Sequence, residues 1–192
     1  MGFKGLTINT DGGDEAHIYA EDHAAMFRCI FGNEDMIFPY GELFKTVITG
    51  SNSIRVSSGL LCVQGHLGTI PYNDTQSFIL QNGSPGATRK DLLVATFETS
   101  GLHGIDTFKL EVLTGTTNYT KGNLDAGDLK TQFPLAEITI EGLAASSVRM
   151  LNEPIMNMSD LKEYLTNKIT YGVAEPSDSF GRDGDIYIKY EG

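Results

Sequence analysis

Apolar and polar positions alternate with period two along much of this chain, most clearly at residues 107–113. Phe108, Leu110 and Val112 share one face there, and Lys109 and Glu111 share the other. One apolar and one polar face is the pattern of an antiparallel strand half-covered by a core. The same period predicts strands near 43–49, 53–57, 60–67, 75–80, 91–99, 106–113 and 134–140. Within 54–65, Ile54 and Val56 alternate, Ser57-Ser58-Gly59 reads as a turn, and Leu60, Leu61 and Val63 run on to Gly65. That order predicts a tight strand–turn–strand unit. Turn formers separate the other strands: Gly50-Ser51-Asn52, Asn82-Gly83-Ser84-Pro85-Gly86, Ser100-Gly101 and Gly104. Short strands at this spacing predict an antiparallel β-sandwich. Its core is expected to hold Ile54, Val56, Leu61, Val63, Phe78, Leu80, Val94, Phe97, Phe108, Leu110, Val112, Ile138 and Ile140.

Two segments carry a helical period instead. At 19–31, Tyr19, His23, Met26, Phe27 and Ile30 fall on one apolar face, Glu21 and Asp22 favour the first turn, and Gly32-Asn33 is a stop. At 160–169, Ser159 is a candidate cap and Leu161 and Leu165 share a face, with Gly172 beyond. Residues 1–15, rich in Gly and Asp, are expected to be irregular. Pro176, Gly181 and Gly184 precede the alternating run Asp185-Ile186-Tyr187-Ile188-Lys189-Tyr190, which predicts a terminal hairpin. The fold class is therefore mainly β: an antiparallel β-sandwich preceded by an N-terminal helix, with a short C-terminal helix and hairpin. The expected domains are 1–150, helix plus sandwich, and 151–192, short helix and β-hairpin appendage.

Composition adds limits. The 192 residues are 40% hydrophobic, enough to bury a core, and the 22 glycines suit many turns. The net charge is -11 and the only adjacent basic pair is Arg89-Lys90, so no nucleic acid partner is expected. The N-terminus lacks an apolar signal region, and Leu6 stands where myristoylation needs Ser or Thr. No run reaches the length of a membrane span, so no membrane insertion is expected. Cys29 and Cys62 both sit among apolar neighbours and are expected to be buried free thiols.

The chain offers little patterned chemistry. Of its four histidines, His17 and His23 lie six apart, about 240 degrees out of phase on a helix. No Cys-x-x-Cys accompanies them, so no zinc site is expected. His23 is expected to pack on the helix face, with His17, His66 and His103 at the surface or in loops. The clusters Asp11-Gly12-Gly13-Asp14-Glu15, Asp125-Ala126-Gly127-Asp128 and Asp183-Gly184-Asp185 do not fit an EF-hand and read as turns. No nucleophile elbow, phosphate-binding loop or dinucleotide fingerprint occurs. Tyr72, Tyr119, Tyr164, Tyr171, Tyr187 and Tyr190 are residues that could stack on sugars. Their scatter favours ordinary packing. No catalytic, cofactor-binding or metal residue is assigned.

Five ordered motifs resemble the N-terminal part of phage tail baseplate and receptor-binding (fibre) proteins of prophages in Gram-positive gut bacteria. Tyr19-Ala20-Glu21-Asp22 opens a helix ending at Phe31-Gly32-Asn33. The run 54–65 resembles the family's strand, glycine turn, strand and second glycine. Arg89-Lys90-Asp91-Leu92-Leu93-Val94 is similar to its Arg-x-Asp before an apolar strand. Leu110-Glu111-Val112-Leu113-Thr114-Gly115-Thr116 and Phe133-Pro134-Leu135-Ala136-Glu137-Ile138 are similar to two further family strands. Residues 184–190 resemble a short C-terminal tail of such proteins. Together these cover about 15–142 and 172–192. The family often carries Ala-Trp where Leu60-Leu61-Cys62 stands here.

The resemblance implies a non-enzymatic phage tail protein that docks on the tail tip and forms or carries part of the host-adhesion device. It implies a homotrimer in the virion tail, made in the bacterial host cytoplasm, with other tail and baseplate proteins as partners. A host cell-surface glycan is a further expected partner. It implies no enzyme activity and no cofactor. The alternative is a carbohydrate-binding β-sandwich module.

Overall fold

The computed structural model describes residues 2–5, 19–177 and 185–191. The chain divides into two compact units, Met1–Ile155 and Met156–Gly192. The described residues of the first form an antiparallel β-sandwich flanked by an α-helix. One sheet orders β1 (Lys4–Gly5), β5 (His66–Ile79), β4 (Ser53–Val63) and β2 (Met36–Phe38), and β3 (Thr46–Gly50) pairs with the other end of β4. The second orders β7 (Asp106–Leu113), β6 (Thr88–Thr99), β8 (Lys130–Glu141) and β9 (Ala144–Met150). Ile54, Val56, Leu61, Val63 and Ile70 of the first sheet meet Leu93, Ala95, Phe97, Phe108, Leu110 and Leu135 of the second in one core.

Most of the predicted core is buried there, with three differences. Phe78 and Val112 are only partly buried against it. Val94 is fully buried but on the opposite face of β6, since Leu93, Ala95 and Phe97 take the core side. Phe44, which periodicity overlooked, is fully buried, and its ring lies where a side chain on Gly59 would project.

That contact corrects the reading of 54–65. Ser57-Ser58-Gly59 is no turn: β4 runs through it unbroken, with a register shift between Ser57 and Gly59. A bulge and a missing Cβ let the strand pass under Phe44. The true turn is Gln64-Gly65, with φ of 46° and 86°, linking the paired residues Val63 and His66. Two left-handed central residues make the hairpin turn whose twist matches its strands.

Helix α1 (Ala20–Phe31) forms at the predicted place, with the Tyr19 N–H donating to Asp22 Oδ2 at 3.2 Å. Its buried face is not the predicted one. Ala20 and Ala24 turn inward, while Met26 and Ile30 stay 48% and 62% exposed and His23 faces solvent. The reason is close approach. A Cβ on Gly65 would collide with the Ala24 carbonyl, so only small residues fit that side. Cys29 is consequently exposed, against expectation, whereas Cys62 is buried.

Arg89 and Asp91 join as their spacing on one strand face suggests. Arg89 Nε and Nη2 donate to the two carboxylate oxygens at 2.8 and 2.9 Å. Gly115 N–H adds a third bond to Asp91 at 2.8 Å, and Arg89 also donates to the carbonyls of Gln81 and Asn82. On the outer face of the second sheet, Gln132 exchanges backbone and side-chain bonds with Thr120, both 2.8 Å. It pins the long 114–129 connection.

Beyond β9 the chain returns to the sandwich. Leu151 N–H donates to the Leu135 carbonyl and Ile155 N–H to that of Ile37, so residues up to Ile155 belong to the first unit. In the second unit, α2 (Met158–Lys168) is capped by Asn157 rather than Ser159. Asn157 Oδ1 accepts from the N–H groups of Ser159 and Asp160, each at 2.9 Å. The predicted terminal hairpin is also corrected. β10 (Ile169–Gly172) and β11 (Ile186–Lys189) pair in parallel, Ile169 opposite Ile186. The connection 173–185 is long enough for the crossover that parallel pairing needs.

Candidate functional site

The Gln64-Gly65 turn organises one end of the first unit. Its backbone places the Gln64 side chain against the 114–129 connection. Gln64 Nε2 donates to the Gly122 carbonyl at 2.6 Å and to Thr131 Oγ1 at 3.2 Å, and Oε1 accepts from Leu124 N–H at 2.9 Å. Its own N–H donates to Asp35 Oδ1 at 2.9 Å. One side chain and one amide therefore fasten two distant segments to a single turn.

A cavity of about 470 Å³ opens beside this junction, walled by Asn33, Asp35, Tyr119, Lys121, Phe133 and Asn152. Burial pushes the Asp35 carboxyl above the usual carboxylate range, and the Gln64 N–H and the Lys121 charge offset only part of that. The Asn152 amide donates to the Pro134 carbonyl. A second cavity of about 330 Å³ lies across the Arg28–Asp125 ion pair, which lines both and closes at 2.9 Å. Its wall includes Ala24, His66, Phe97, Leu102 and Leu124.

His66 was expected in a loop or at the surface. It instead opens β5, is 5% exposed, and stacks on Phe97 with ring centroids 4.0 Å apart. His103 does sit in a loop. Its ring lies 3.8 Å from that of Tyr19 and its N–H donates to Glu21 at 2.8 Å. His23 is exposed on α1, and His17 lies outside the described residues.

The Asp125–Asp128 cluster serves its own turn. Asn123 Oδ1 accepts from the N–H groups of Asp125 and Ala126, and Asp128 accepts from Asn123 N–H at 2.7 Å. The 11–15 cluster, Asp183 and Gly184 fall outside the described residues, while Asp185 lies 4.0 Å from Lys168. Among the described residues, no group of three His, Cys, Asp or Glu side chains gathers to hold an ion. Also among them, no helix is long and apolar enough to cross a membrane.

Cys62 is held inert: burial pushes its thiol up to about 11. Of the tyrosines that could stack on sugars, Tyr119 borders the larger of these two cavities, while Tyr72 packs edge-on against Tyr40 at 6.2 Å. No family model matches the chain, and a search of curated proteins finds no match to it.

Proposed function

We propose that this chain is a non-enzymatic structural protein of a phage or prophage tail, docking on the tail tip and forming or carrying part of the host-adhesion device. One observation carries the reading. The motifs that resemble baseplate proteins, scattered in sequence, touch one another as a framework. Helix α1 packs through Ala24 on Gly65, the second glycine of the 54–65 motif. Asp91 of the Arg-x-Asp motif binds the N–H of Gly115 in the next motif. Val94 of that same strand pairs with Pro134 of the last. A shared framework, rather than shared chemistry, is what a docking domain requires.

Exposed apolar surface supports assembly. Met26, Ile30 and Phe31 of α1 are 48%, 62% and 42% exposed. Leu161, Leu165, Ile169 and Ile186 of the second unit are exposed as well. A two-stranded ribbon with its apolar side chains in water is marginal alone. A homotrimer, joined to other tail proteins, would cover such surface by repeating one patch around an axis. The protein's place would be the virion tail, after synthesis in the host cytoplasm.

The test is to induce the prophage, purify tail particles and identify their proteins by mass spectrometry. Light scattering of the pure chain supplies its mass. The chain is expected in stoichiometric amounts in particles and as a trimer in solution. Particles that lack it refute the tail role. A 20.9 kDa species that persists on concentration refutes the trimer.

A further inference from the structure

We propose that the cavity beside the Gln64 turn binds a neutral saccharide. This deepens the adhesion-device reading and rests on it for the source of the sugar, a glycan of the host surface. The walls dictate the ligand class. The Asp35 carboxylate accepts hydrogen bonds, the Lys121 ammonium donates them, and the amides of Asn33 and Asn152 do both. A ligand that satisfies all four needs several groups that each donate and accept, which describes the hydroxyls of a sugar ring. The volume of about 470 Å³ lies in the range of small-ligand sites.

Charge argues against the other classes. An anion would meet Glu34 and Asp35, while Arg28 and Asp125 already engage each other at 2.9 Å. That leaves Lys121, which makes no ion pair among the described residues, and Asp35 lies within its field. A cation would meet Lys121. A neutral polyol meets neither objection.

The apolar side of a sugar also has a counterpart. Tyr119 presents a ring that is 41% exposed, with Phe133 and Pro134 lining the same cavity. Its amphipathic ring offers a face for C–H groups and a hydroxyl for bonding. Gln64 and Gln132 hold the Tyr119 loop in place, so ordering it adds little cost when a ligand arrives. Asp35 is poorly hydrated there, and a ligand hydroxyl would restore a donor that burial removes.

The full chain should be applied to an array of neutral bacterial and animal-cell glycans, with sulfated glycans as anionic probes. Calorimetry with the best hit and with inorganic phosphate follows. Selective retention of a neutral glycan is expected. Tyr119→Ala and Lys121→Met should each weaken it at least about tenfold with the melting temperature unchanged. Tyr72→Ala, outside the cavity, should leave it intact. Retention of no neutral glycan, tighter capture of phosphate or sulfate, or an equal loss in Tyr72→Ala overturns the site. A free monosaccharide that competes as well as the oligosaccharide overturns a surface glycan as its source. Particle incorporation is read separately. A chain that enters tails and ignores sugars sinks the cavity alone, and one that binds sugars but is missing from tails sinks the tail role alone.

Discussion

Replacing Arg89 by Met isolates a buried polar joint of the sandwich. The Asp91 side chain is fully buried and holds three bonds, two of them from Arg89. Arg89→Met leaves the carboxylate with the Gly115 N–H alone. Removing one partner of a buried ion pair costs about 3–5 kcal/mol. The Arg89 side chain is 23% exposed, so water can enter the vacated space and the lower figure applies, about 3 kcal/mol. The lost bonds to the carbonyls of Gln81 and Asn82 add little, since these lie at the surface where water replaces them. With a urea slope of about 2 kcal/mol/M, the midpoint should fall by about 1.5 M. Far-UV circular dichroism follows the transition, as the chain has no tryptophan. The double variant Arg89→Met/Asp91→Leu removes the orphaned charge and should recover most of the loss. A single variant within about 1 kcal/mol of wild type, or a double variant less stable than the single, would refute the clasp as described.

Three further outcomes follow from the same structure. Phe108→Ala should cost about 3–5 kcal/mol in urea unfolding, because its ring packs edge-on against Phe97 at 5.6 Å and Phe3 at 5.2 Å; a loss under about half a kcal/mol would mean that strand's face is misassigned. Native thiol titration should label Cys29 quickly and Cys62 only after denaturation, given the exposure of one and the raised thiol of the other; equal rates would contradict this. Asp35→Asn should stabilise the protein at pH 7, because the raised folded value means ionised Asp35 disfavours the native state above it. That advantage should shrink as pH falls through the raised value and vanish below about 3.9, where both states are protonated; a chemical-denaturation series across pH checks it, and an advantage that grows with acid would be the wrong sign.

What the sequence made legible was whatever a local period controls. The strand around Phe108, Leu110 and Val112 and the helix at 19–31 stand where alternation and helical spacing put them. Period two fails where the strand itself breaks step. β9 is hidden in the sequence because its weak pattern of Ala145, Val148 and Met150 breaks step at Ser146, where its pairing with Thr139 and Ile140 of β8 shifts register. The Ser57-Ser58-Gly59 bulge looks like a turn from within, and only Phe44 overhead explains it. Hydrophobicity points to Met26 and Ile30 as the buried face of α1, whereas the helix backbone comes close to Gly65 at the small residue Ala24. Parallel pairing of β10 and β11 left no trace in their own residues. The cavity was illegible for a related reason. Asp35, Gln64, Tyr119 and Asn152 have no spacing that announces them, and Tyr119 was visible only as one of several scattered tyrosines.

The Gln64 junction also sets an order of events during folding. Its side chain reaches partners 58, 60 and 67 residues away. Loops of that length close late, after nearer pairings have formed, because closure entropy must be met before such contacts contribute. Hairpins such as β4–β5 and β6–β7 can assemble from neighbouring residues, but the walls beside Gln64 can meet only once both sheets have docked. Refolding should therefore restore strand content before it restores those walls. A partly folded chain emerging from a ribosome would carry the sandwich's strands and still lack the finished end of the molecule.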